Sequence, residues 1–189
     1  MIRAIIFDCF GVLVEDALAA LYQELPPEKR EEAIGLMHAA HHGFLEPVDS
    51  NQQIAALLGM DLPAYQQAIR DGEIKNQPLL EYIKGLHGQY KTAMLSNVSK
   101  GGITRRFTPV ELGYFDTVVA SGEVGYAKPE AEAYELTADR LGVRLEECVF
   151  TDDREEYCEA ARGVGMQAIL YQSFRQFKTD LETLLANPK

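Results

Sequence analysis

Four short polar groups carry the chemical potential of this chain. They are Asp8 in the run Asp8-Cys9-Phe10-Gly11-Val12-Leu13, the pair Ser96-Asn97, Lys128 in the segment Gly125 to Pro129, and the pair Asp152-Asp153. Three carboxylates, Asp8, Asp152 and Asp153, brought to one edge would repel one another and raise each other's pKa unless a cation held them. Magnesium suits such a set, because it uses one or two carboxylates, keeps several waters and takes a further ligand from a substrate phosphate. Taken singly, each group has an ordinary reading. A strand-ending aspartate often only caps a helix, and Asp152-Asp153 ahead of Arg154, Glu155 and Glu156 could be an acidic helix start favoured by the dipole. Ser96 and Asn97 alone are loop residues, and Lys128 alone is a surface lysine. Their joint occurrence, each beside an apolar segment or a helix start, is what argues for a site.

Those apolar segments are Ala4 to Phe7, Thr92 to Leu95, Thr117 to Ala120, Cys148 to Thr151 and Ala168 to Leu170. They are short, continuous and partly β-branched or aromatic, which predicts buried strands. Helical patterns lie between them, such as Leu79, Leu80, Ile83 and Leu86, or Ala133, Leu136 and Leu141 introduced by Pro129 at a favoured first-turn position. The alternation predicts an α/β fold, a Rossmann-like doubly wound parallel sheet whose ligands bind at the carboxyl ends of its strands. One stretch interrupts it. From Glu15 to Gln77 no strand is evident, Ala33, Leu36, Met37 and Ala40 recur at helical spacing, and Ser50 with Gln53 suggests a capping box before Ile54. The expected organisation is therefore a core of residues 1–14 and 78–189 with a small all-helical cap at 15–77, in which Phe44 and Tyr65 are core residues.

In their order and spacing these motifs resemble the haloacid dehalogenase superfamily, particularly its phosphatase-like branch with an insert after the first strand, and the resemblance covers nearly the whole chain. It implies a Mg2+ site made by the side chains of Asp8 and Asp153, the backbone carbonyl of Phe10, and Asp152 directly or through water. It implies that Asp8 attacks phosphorus to give an aspartyl-phosphate, splitting one difficult displacement into two. Ser96 would hold phosphoryl oxygens, Asn97 would orient substrate, and Lys128 would offset the crowded negative charge.

Phe10 departs from the family pattern, in which a second aspartate protonates the leaving oxygen and later activates water. Losing a positioned general acid costs roughly 10²- to 10⁴-fold in rate. Three readings follow: a phosphatase of a small phosphorylated metabolite that acts on good leaving groups or borrows an acid such as Glu15, Asp16 or a cap residue; a 2-haloacid dehalogenase-like hydrolase; or a non-catalytic phosphate- or metal-binding regulatory protein. Asp152-Asp153 argues against the second, since it would face a carboxylate substrate uncompensated.

The chain has 189 residues, is 47% hydrophobic and 25% charged, and carries a net charge of -11, the composition of a globular protein whose field repels phosphate backbones and anionic membranes. No nucleic-acid or membrane partner is expected, and a monomer or homodimer fits equally. Cys9, Cys148 and Cys158 are too far apart for a C-x-x-C motif and read as buried free thiols suited to a cytoplasmic protein. His38, His41 and His42 share a helical spacing that can bind zinc, but no Glu or Cys partner is evident, so a substrate-facing or solvated helix end is expected.

Overall fold

In the computed structural model, which describes residues 1–186, five strands form one sheet: β1 (Ala4–Phe7), β2 (Lys91–Ser96), β3 (Thr117–Ala120), β4 (Cys148–Asp152) and β5 (Gln167–Leu170). All neighbours pair in parallel, in the order β3-β2-β1-β4-β5. Every residue of β1 and β4 is buried, as expected of strands covered on both faces. Alternate residues serve opposite layers. Ile5 and Phe7 join one hydrophobic cluster and Ala4 and Ile6 the other.

The first cluster is closed by α5 (Gln77–Leu86), through Leu79, Leu80, Ile83 and Leu86, and by α10 (Phe174–Ala186), through Phe177 and Leu181. Phe7 meets Phe115 and Phe177 edge to face. Burying one such ring contributes roughly 1.5–3 kcal/mol. The second cluster is closed by α8 (Ala131–Leu141) and α9 (Glu155–Gly163), with Tyr134 against Phe150. Two one-turn helices, α6 (Pro109–Leu112) and α7 (Ser121–Val124), flank β3. Between β1 and α5 lie α1 (Ala17–Gln23), α2 (Pro27–His41), α3 (Pro47–Leu57) and α4 (Leu62–Gly72), which enclose a third cluster around Tyr22, Ala33, Ile54 and Tyr65. Asp16 caps α1 and Asp61 caps α4.

Three local expectations need correcting. Ser50 does not cap a helix; α3 starts earlier, with Pro47 in its first turn, and the buried Ser50 hydroxyl donates to the Leu36 carbonyl of α2. Pro129 precedes α8 rather than opening it, because the helix begins at Ala131 after Glu130. Phe44 is 84% exposed, stacked on the His42 ring after Gly43 turns the chain at φ +75°, so it lies outside the helical core that Tyr65 does join.

Candidate active site

Sheet order places the chemistry. Because β1 lies between β2 and β4, with Phe7 opposite Thr151, the residues that follow β1 emerge beside the end of β4. Asp8 is fixed there by its N–H, which donates to the Thr151 carbonyl at 2.9 Å. Asp152, the last residue of β4, is fully buried, and its Oδ1 accepts from the Arg154 N–H at 2.9 Å. Lys128 Nζ reaches both carboxylates, 2.5 Å from Asp8 Oδ1 and 2.6 Å from Asp152 Oδ2.

Lys128 is itself held from two sides. The Asn97 side chain grips its peptide group, donating to the Lys128 carbonyl at 2.7 Å and accepting from its N–H at 2.8 Å. Its ammonium lies 4.9 Å from the Tyr157 ring centroid and 5.4 Å from that of Phe150. Burial favours the neutral amine, but the two carboxylates outweigh it and hold Lys128 above its ordinary pKa. Burial, aided by the Asp152 charge, pushes Asp8 up to about 7 against the pull of Lys128. Asp153 stands at the solvent side, and burial of its carboxylate together with Asp152 pushes it up to about 6.

Ligand atoms of Asp8, Asp152 and Asp153 lie within 4.8 Å of one another, and among the described residues this is the one such group of potential metal ligands. Gly11 makes the approach of Asp153 possible. It sits at φ +82°, and a Cβ there would come within 2.3 Å of Asp153 Oδ2. The three histidines do not form a metal site among the described residues: His38 and His41 face the cavity described below, while His42 Nε2 contacts Glu130 Oε1 at 3.2 Å.

Asp8, Phe10, Asn97, Lys128 and Asp153 open onto a cavity of about 830 Å³, whose far wall is built from α1 to α4 by residues such as Met37, His41, Ile54 and Tyr65. Ser96 is brought to the same strand ends but does not line this cavity; its buried hydroxyl has no hydrogen-bond partner among the described residues. Arg154, an exposed residue, lines the cavity with its guanidinium on the Tyr157 hydroxyl at 2.8 Å and Glu156 at 2.9 Å.

One constellation escaped sequence reasoning. Arg106, from the loop after β2, lies over the Phe10 ring at 4.9 Å and pairs with Glu73, which follows α4, at 2.5 and 2.8 Å. Glu73 and Arg106 are 33 residues apart and belong to no motif. Of the acids offered as stand-ins for Phe10, Asp16 accepts two helix N–H groups and Glu15 does not face the cavity.

A parallel sheet that delivers clustered carboxylates and a buried lysine to its carboxyl edge is a Rossmann-like α/β architecture with its site at the strand ends. The family model for haloacid dehalogenase-like hydrolases matches residues 2–165, and the chain belongs to that family. It is 35% identical over 95 residues to fructose-1-phosphate phosphatase YqaB of Escherichia coli, covering 49% of this chain and 50% of that protein. It is 31% identical over 91 residues to a phosphorylated carbohydrates phosphatase of Thermotoga maritima, covering 48% and 41%. The chain thus spans half the length, or less, of these curated relatives. Among solved structures, a predicted HAD-like family hydrolase from Porphyromonas gingivalis superposes with TM-score 0.78 at 23% identity over 99% of both chains. A HAD family enzyme from Bacteroides thetaiotaomicron, solved with magnesium and inorganic phosphate, superposes with TM-score 0.74 at 20% identity over 94% of this chain and 99% of that one. These two likenesses establish the fold. Among the described residues no helix is long and apolar enough to cross a membrane.

Proposed function

We propose that the chain is a magnesium-dependent phosphatase of a small phosphorylated metabolite, with Asp8 as nucleophile. The observation that carries this reading is the Lys128 ammonium set between Asp8 and Asp152 at the mouth of a large cavity, with Asp153 alongside. The residues fit a magnesium ion: burial, together with the Asp152 charge, raises two of the three carboxylates above their ordinary pKa, a cost that a cation would offset, and oxygen is the donor this ion takes. Asp8, Asp153 and the Phe10 carbonyl would hold it. Asp152 spends one oxygen on Lys128 and the other on the Arg154 N–H, so it would act through water. When bound, magnesium neutralises charge on the transferring phosphoryl oxygens.

The chain's own residues supply the rest. Asp8 Oδ attacks phosphorus, the bond to the leaving oxygen breaks, and an aspartyl-phosphate forms; water then displaces Asp8 from phosphorus. Lys128 offsets the charge shared by the nucleophile and the phosphoryl group, and Asn97 fixes the Lys128 backbone. The unpartnered, buried Ser96 hydroxyl at the end of β2 would donate to a phosphoryl oxygen. Helices α1 to α4, within the segment 15–77, serve as the cap that excludes water and reads the substrate.

The relatives' names favour sugar phosphates as the class to test first. The deciding experiment is a magnesium-dependent phosphate-release screen over sugar, acyl and aryl phosphates, with Asp8→Asn and EDTA as controls. Release that needs both Asp8 and magnesium supports the reading. Halide release from 2-haloacids that persists in EDTA would overturn it, as would no phosphate release across the panel.

A further inference from the structure

Of the acids that line the cavity, Asp8 and Asp153 belong to the carboxylate cluster, Glu46 is exposed at the start of α3, and Glu73 and Asp16 are engaged. Glu73 gives both carboxylate oxygens to Arg106, and Asp16 gives Oδ1 to the first turn of α1. The Tyr157 hydroxyl, engaged by Arg154, is held above its ordinary pKa by burial. His41 is neutral at ordinary pH, because burial and the neighbouring His38, His42, Lys128 and Arg106 push it down to about 3, and a neutral imidazole is a poor proton donor. What stands beside Phe10 instead is a cation. The Arg106 guanidinium carbon lies 4.9 Å from the ring centroid, and Glu73 and the Gly102 carbonyl take three of its N–H groups, which leaves one on each terminal nitrogen. Arg105 lines the same cavity, with one long hydrogen bond of 3.4 Å to the Lys100 carbonyl.

We infer that Arg106, held on the Phe10 ring and supported by Arg105, receives the leaving group as an anion, and that the preferred substrate is an acyl phosphate, whose leaving group is a carboxylate. The inference rests on the phosphatase reading above and names its substrate class. In the first step Asp8 Oδ bonds to phosphorus while the bond from phosphorus to the acyl oxygen breaks. The electron pair stays on that oxygen, giving a free carboxylate with no proton transferred. In the second step a water oxygen bonds to phosphorus, the Asp8–phosphorus bond breaks, Asp8 regains its carboxylate and the water proton passes to solvent. A carboxylate whose acid has a pKa of roughly 4 leaves readily without a proton, whereas an alkoxide is about as basic as the anion of water, whose pKa is about 15.7. A guanidinium also suits a departing carboxylate, since its donors match both oxygens.

The test compares benzoyl phosphate, 4-nitrophenyl phosphate and benzyl phosphate with magnesium, together with inhibition by the product benzoate. Wild type should show a kcat/KM for benzoyl phosphate above that for benzyl phosphate by at least about 10²-fold, and Phe10→Asp should shrink the gap by raising the benzyl rate. Arg106→Gln should weaken benzoate inhibition by about tenfold or more, the loss expected for one charge-assisted contact. A benzyl rate equal to the benzoyl rate in wild type overturns the inference and leaves the phosphatase reading standing. So does unchanged benzoate inhibition in folded Arg106→Gln. If that variant fails to fold, the wild-type comparison decides alone, and phosphate release from none of the three overturns the phosphatase reading and the inference together.

Discussion

Magnesium affinity should be far more sensitive to pH than an ordinary carboxylate site allows. A metal ligand must be deprotonated, so binding weakens in proportion to the fraction of the site that is ionised. With Asp8 at about 7 and Asp153 at about 6, both are mostly ionised at about pH 8, while at about pH 5 roughly one Asp8 in a hundred and one Asp153 in ten are ionised. The product falls by about 10³ between those two pH values, whereas two carboxylates of ordinary pKa would lose less than about twofold. Titration calorimetry of the purified protein with magnesium chloride at the two pH values measures the ratio. Asp153→Asn should remove about one factor of ten of the dependence along with much of the affinity. A change in Kd below about fivefold across this range would show that burial does not raise these carboxylates, and the charge-crowding account of the site would be refuted.

Three further outcomes follow from the same contacts. In EDTA, the raised pKa of Asp8 means the native state binds more protons than the unfolded chain between about pH 4 and pH 7, so stability should fall as pH rises through that window; urea melts should show a slope that Asp8→Asn reduces, the part left below about pH 6 belonging to Asp153. Lys128→Met leaves two buried carboxylates unpaired and should cost about 3–5 kcal/mol in the same melts at neutral pH, with partial recovery in acid. Gly11→Ala forces a left-handed backbone on a residue with a Cβ and drives that atom into Asp153; it should cost about 1–2 kcal/mol and weaken magnesium binding, read by calorimetry, while an unchanged Kd would mean Asp153 is not a ligand.

The strands were legible from sequence because parallel strands buried on both faces need unbroken apolar runs, and Thr117–Ala120 lies where its run placed it. Short motifs that follow strands were legible for a related reason: parallel topology forces strand ends to one edge, so Asp8 and Asp152 must meet whatever the loops do. Contacts between elements far apart in sequence left no such trace. The Glu73–Arg106 pair spans the segment after α4 and the loop after β2, and neither residue sits in a periodic pattern. Ser50 misled because a serine ahead of an apolar run suits a helix cap and an interior contact alike, and only its bond to Leu36 decides which it makes. Asn97, expected to orient substrate, lines the cavity, and its amide also holds the Lys128 backbone at both ends, a contact across 31 residues that the sequence could not reveal.

Phe10 gains a physical reason from that same long-range pair. A carboxylate at this position would lie beside Arg106 and compete with Glu73 for its guanidinium, so the cation, Glu73 and the aromatic ring form one mutually dependent set. An aromatic face holds Arg106 without adding a second carboxylate to the one Glu73 already supplies. The site therefore trades a proton donor for a fixed guanidinium on the cavity wall, paired with Glu73 but keeping one further N–H on each terminal nitrogen. Such a charge stabilises a leaving group that departs as an anion and does little for one that must depart as an alcohol. Restoring an acid by Phe10→Asp alone should then rescue alkyl phosphates less than Phe10→Asp combined with Arg106→Gln, since in the single variant Arg106 holds the new carboxylate ionised. Equal rescue by the two variants would sever the link between Phe10 and Arg106.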